Sequence, residues 1–64
     1  MTDYEAVMIA EGVEEADRDT VLQAWAHLIR TGMCWCLQGF FGRNAASLIE
    51  NGIISPEGEV LDND

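Results

Sequence analysis

Apolar residues recur at helical spacing along two stretches of this chain and crowd together in a third. Near the start, Thr2 followed by Glu5 forms a capping-box pattern. Tyr4, Val7, Met8 and Glu11 then share one helical face, and Gly12 closes the segment, so a short helix over 3–11 is expected. The clearest pattern comes next. Val21, Leu22, Trp25, Leu28 and Ile29 fall at i, i+1, i+4, i+7 and i+8 and make one continuous apolar stripe. Glu14, Glu15, Asp17 and Asp19 precede this stripe or fill its first turns, where the helix dipole favours negative charge. With Arg30 in the last turn and Gly32 as the residue that stops it, the pattern predicts a helix over 14–31.

The third stretch begins with Cys34-Trp35-Cys36-Leu37-Gln38-Gly39-Phe40-Phe41-Gly42-Arg43, whose only charge is its last residue. Read as one helix over 33–51, it places Met33, Leu37, Phe40, Phe41, Asn44, Ala45, Leu48 and Ile49 on a wide core face. On the opposite side Trp35, Gly39, Gly42 and Ala46 line up at i, i+4, i+7 and i+11. Three small residues beside one aromatic predict a groove that another helix can approach closely. Two glycines inside a helix cost about 1 kcal/mol each against alanine, which close packing would offset. The competing reading is a break at Gly39 or Gly42. Beyond Gly52, Ile53-Ile54-Ser55 and Glu59-Val60-Leu61 flank the turn-forming Pro56-Glu57-Gly58, so the tail 53–64 is read as a tiny hairpin or an extended acidic extension, with Asp62-Asn63-Asp64 fraying. The fold expected is all-α, a small three-helix domain with a short C-terminal extension, dimeric through its third helix.

Size and charge sharpen this picture. Sixty-four residues make a single domain, and at that size the gain from apolar burial and the cost of ordering the chain nearly cancel. A chain that is 48% hydrophobic therefore has a reason to bury surface against a partner or another copy. The net charge is −9, from twelve acids and three arginines with no lysine, and no acid lies between Thr20 and Ile49. Phosphate recognition needs cations, so direct binding to nucleic acid or to an anionic membrane is disfavoured. The run from Met33 to Phe41 is too short to span a bilayer, and Met1-Thr2-Asp3-Tyr4-Glu5 contains no basic leader pattern. A cytoplasmic setting is expected.

Candidate chemistry is sparse. Cys34 and Cys36 stand at i and i+2, which points them apart and supplies only half of a zinc ligand set; packing is the expected role. His27 sits one position off the apolar stripe with no nucleophile placed beside it by the sequence. Glu11, Glu14, Glu15, Asp17 and Asp19 do not follow the alternating pattern of a calcium loop, so they are read as a solvated acidic surface. Trp25 belongs to the core stripe. Trp35 belongs to the second face, where partner binding or self-association is expected together with Gly39, Gly42, Arg43 and Ala46. No enzyme activity, cofactor or metal is expected. A helix followed by a hairpin also suggests a winged-helix regulator, but a wing carrying Glu57 and Glu59 would repel DNA.

The run Trp35-Cys36-Leu37-Gln38-Gly39-Phe40-Phe41-Gly42-Arg43-Asn44-Ala45-Ala46-Ser47-Leu48-Ile49-Glu50-Asn51-Gly52, preceded by Ala24-Trp25, Leu28-Ile29 and Thr31-Gly32, resembles a segment of very small proteins of tailed bacteriophages. There a tryptophan leads into Leu-Gln-Gly, Phe-Gly-Arg, Ala, Leu-Ile and Gly. The likeness covers Val21 to Gly52. Cys36 stands where a polar residue is more usual. The resemblance implies a phage origin and a place in the host cytoplasm, and carries no activity with it. Combined with the charge, it points to a non-enzymatic accessory protein that binds a protein partner, such as a host or defence protein with a basic, nucleic-acid-binding face. The alternative is a structural module that self-associates through the third helix, in which case a bulky residue at Gly42 would abolish association. A DNA-binding regulator ranks below both.

Overall fold

The structure, a computed structural model, describes residues 1–37 and 39–61. Four helices follow one another: α1 (Asp3–Ala10), α2 (Arg18–Thr31), α3 (Met33–Cys36) and α4 (Gly39–Glu50). Helix accounts for 63% of what is described, and no strand forms there; one antiparallel bridge joins Ile54 to Val60. The fold is thus mostly helical, with four helices where three are expected.

Local chemistry sets the helix ends. The Thr2 hydroxyl accepts from the Glu5 amide at 3.1 Å while the Glu5 carboxylate accepts from the Thr2 amide at 2.9 Å, closing the capping box. This pair of bonds favours the ionised acid and holds the Glu5 carboxyl below its usual value. At the far end of α1, Gly12 takes the left-handed conformation, and the Gly12 and Val13 amides donate to the Ile9 and Met8 carbonyls. That closure ends the helix well before Glu14. Helix α2 accordingly starts at Arg18 rather than at 14. Asp17 is its N-cap and accepts from the Thr20 amide at 2.8 Å, while Glu14 and Glu15 stay in the loop outside the helix.

α2 is the axis of the molecule. Leu22, Ala24, Trp25, Ala26, Leu28 and Ile29 are all buried, which at 100° per residue is an arc of about 200°. A surface helix needs only a stripe of roughly half that width. α2 is therefore covered on several sides. α1 packs along one side, where His27 Nε2 donates to Asp3 Oδ1 at 2.6 Å. On another side Trp25 meets Phe40 and Phe41 of α4, with ring centroids 6.1 and 5.9 Å away. The two phenylalanines stack edge to face at 5.2 Å, so α4 reaches α2 through aromatic rings more than through close backbone approach.

The third side is closed by the C-terminal turn. Ser55-Pro56-Glu57-Gly58 forms a β-turn in which the Gly58 amide donates to the Ser55 carbonyl at 2.9 Å, with proline and glycine at the positions this turn favours. Ile54 is completely buried, and the Arg30 guanidinium donates to the Gly58 carbonyl at 3.2 Å. Gly58 lies so close to α2 that a Cβ there would stand 2.7 Å from the Ala26 carbonyl oxygen and 2.8 Å from the Arg30 amide nitrogen, and its φ of +91° is one that other residues rarely adopt. The tail is thus part of the core. The expected fraying of 62–64 lies outside the described residues.

The largest departure from expectation is in 33–51. The segment is not one helix: Leu37 is extended, and the helix restarts at Gly39. The break precedes both glycines, with Gln38 outside the described residues. One helix in this place would carry apolar residues on two opposite flanks, of which the core can cover one. Interrupting it lets the two pieces turn independently. Cys34 in α3 and Phe41 and Ala45 in α4 are buried, and Leu48 and Ile49 pack against the same core. Phe40 and Asn44, expected on the core face, are exposed instead.

Replacing Gly58 by alanine combines a left-handed backbone position with overlap against helix backbone, and is expected to lower stability by more than about 2 kcal/mol. Gly42→Ala is expected to be neutral or to stabilise by up to about 1 kcal/mol, because a Cβ there finds only ordinary contacts and the helix gains propensity. Urea unfolding followed by tryptophan fluorescence distinguishes the two.

Candidate functional site

The break at Leu37 builds the most distinctive surface of the molecule. α3 lies over α4 where α4 has no side chain: a Cβ on Gly42 would be 3.7 Å from the Cys34 carbonyl oxygen and 3.8 Å from Trp35 Cε3. The expected Trp35/Gly39/Gly42/Ala46 stripe therefore does not form one open groove. Trp35 stands on α3, the other three stand on α4, and Gly42 already receives α3 of the same chain. Gly39 faces the folded-back Arg43, whose Nη1 would lie 2.8 Å from an added Cβ. Ala46 is exposed. Trp35 keeps 53% of its surface in solvent and Phe40 keeps 43%, so both aromatics are only half used by the fold.

Between α1 and the start of α4 lies an open groove of about 370 Å³, lined by Val7, Glu11, Leu37, Phe40 and Phe41. Val7 belongs to the face of α1 turned to the core, Leu37 is brought in by the break, and the two phenylalanines extend from the Trp25 cluster. Glu11 is the C-cap of α1 and is exposed, which puts a carboxylate beside a helix C-terminus that has no basic residue in its last turn. Carboxylate and helix dipole are of one sign there. Sequence reasoning names neither Val7 nor Leu37 as a binding residue, because the groove exists only once the helix breaks between them and Gly39.

Glu11, Glu14, Glu15, Asp17 and Asp19 are all exposed and follow the chain from the end of α1 through the loop into the first turn of α2. Asp17 does local work as well, since the Thr20 hydroxyl and amide hydrogen-bond its carboxylate and hold its pKa below the usual value. Arg43 is exposed on α4, and among the described residues it forms no ion pair with Glu50.

The two cysteines are free and lie in different surroundings. Cys34 is fully buried, and loss of solvent raises its thiol pKa, whereas Cys36 is exposed. Among the described residues no cluster of histidine, cysteine and acid side chains could hold a metal ion, and no helix is long and apolar enough to cross a membrane. What the fold and this surface define is a small acidic helical domain with an aromatic-edged groove. The chain belongs to a family known as a domain of unknown function, DUF7417, whose model matches residues 1–64. No curated protein matches the chain, and no solved structure does.

In the native protein a thiol reagent such as DTNB should modify one cysteine quickly and the second only on unfolding. Cys36→Ser should remove the fast phase while Cys34→Ser leaves it, because the thiolate of a buried thiol is both scarce and out of reach.

Proposed function

We propose that this protein is a non-enzymatic accessory factor, of phage origin and acting in the host cytoplasm, that binds a protein partner and occludes a basic, nucleic-acid-binding face on it. The observation that carries this reading is the run of exposed acids Glu11, Glu14, Glu15, Asp17 and Asp19 leading directly from the groove. Inhibition by occupancy needs no catalytic group. Acidic side chains on a short, well-capped helix start can stand in for phosphates on a partner's cationic face. The uneven charge of the chain supports the same reading, since its only three cations are Arg18, Arg30 and Arg43 and Arg30 is engaged with the Gly58 carbonyl. This balance speaks against the DNA-binding regulator.

Immobilised protein incubated with bacterial lysate at low salt should retain a basic partner that elutes as sodium chloride is raised, with the complex weakening steeply between about 0.1 and 0.5 M as screening shortens. Added protein should also displace nucleic acid from that partner. Retention indifferent to salt would count against the reading.

A second reading, self-association as an assembly module, is favoured by the half-exposed Trp35 and Phe40. Light scattering across a concentration series tests it. A dimer whose mass returns to that of a monomer on Trp35→Ser would support this reading, and a monomer at every concentration would remove it.

A further inference from the structure

We propose that the groove between α1 and α4 is an anchor site for an apolar side chain carried on a cationic segment of the partner protein, with Glu11 pairing with an adjacent lysine or arginine. The inference rests on the partner-binding reading above and assigns it a place. The groove offers two chemistries side by side. Val7, Leu37, Phe40 and Phe41 make apolar walls, and Phe40 leaves nearly half of its surface uncovered by the fold. Glu11 is the one ionisable group among the described lining residues, and it caps the negative end of the α1 dipole.

A volume of about 370 Å³ is at the small end of what small-molecule sites use, and such sites carry several placed polar groups. Among its described lining residues this groove has one polar side chain, Glu11. Its size and lining suit one aromatic or two aliphatic side chains, the kind of anchor that dominates helix-in-groove recognition. The charge around it decides which segment brings the anchor. Glu14, Glu15, Asp17 and Asp19 continue the negative surface from Glu11, so a neutral or acidic segment approaching the groove meets repulsion while a basic one is drawn in. The same argument disfavours a second copy. Each copy carries −9, and of its exposed apolar side chains outside α3 and α4 all but Met1 have an acid beside them in the sequence: Tyr4 lies between Asp3 and Glu5, Val13 precedes Glu14 and Leu61 precedes Asp62.

The test uses the full chain and three designed helical peptides. The first has leucines at i, i+4 and i+7 among lysines. The second has the same lysines with alanines for the leucines. The third has the leucines among glutamates. Calorimetry gives affinities, and amide chemical shifts give the site. The expected result is binding of the first peptide with shifts centred on Val7, Glu11, Leu37 and Phe41, and loss of about tenfold or more with the second and third. Glu11→Lys, an exposed position that leaves the core alone, should weaken the first peptide by a similar factor. Phe40→Ala, with its fold checked by circular dichroism, should do the same. If the first two peptides bind equally and both variants leave binding unchanged, the groove is not the anchor site although the acidic surface still serves as one. If no lysine peptide binds, the partner-binding reading falls with the groove. Equal binding of the glutamate peptide overturns the charge selection. Sedimentation showing a dimer that Phe40→Ala disperses would assign the groove to a second copy and overturn the proposal.

Discussion

Everything in this structure follows from how much of α2 has to be covered. Six of its fourteen residues are buried, spread over about 200° of its circumference, and a single neighbouring helix can cover only a fraction of such an arc. Each other element therefore has a side of α2 to close. α1 lies along one side and is tied by the His27–Asp3 contact; the aromatic pair of α4 closes on Trp25; the C-terminal turn seats Gly58 against Ala26 and Arg30. With so short a chain no element is spare, and even the turn after α4 carries a fully buried isoleucine.

The break at Leu37 is the answer to the same constraint seen from the other partner. Residues 33–50 hold more apolar surface than one face of a helix can present, and what they pack against is the apolar side of α2 with the core-facing residues of α1. Splitting the segment buries Cys34 from one piece and Phe41 with Ala45 from the other. The glycines then serve closeness within the chain: Gly42 leaves room for α3 to cross α4. Some surplus remains. Trp35 and Phe40 cannot both be covered, and they emerge half-exposed on either side of the break.

That surplus and the charge of the chain meet on one surface. The end of α1 brings Glu11 to the groove that Leu37 and the phenylalanines line, and the loop that follows α1 carries further exposed acids. Loop acids of this kind keep an apolar chain in solution. On the proposed partner-binding reading, acids set beside an apolar groove would also discriminate, because attraction and repulsion act at the distance from which a partner approaches while the groove acts only on contact. A single patch can in this way select for charge first and for shape second.

Much of the architecture is legible in the residues alone. The Thr2–Glu5 box, the stripe of α2, the glycines at 12, 32 and 52 and the turn at Pro56–Gly58 are local signals, each set by hydrogen bonds or backbone preferences within a few residues, and each appears where the spacing places it. The acidic surface is legible for the same reason, since solvated carboxylates need no partner to be positioned. Periodicity falls short at 33–51, where apolar residues fit more than one helical face and only the space left around α2 decides that the helix breaks. The groove inherits that limit. Val7 and Leu37 lie thirty residues apart, and their meeting depends on a change of chain direction for which the glycine at 39 is only a weak local sign, matched by the restart of the helix there. Sequence by itself determined α1 with its capping box, the stripe of α2, the glycine stops and the charge; tertiary structure decided where the third segment breaks, the docking of the tail and the groove, because those depend on how the area of one buried helix is shared among the elements that cover it.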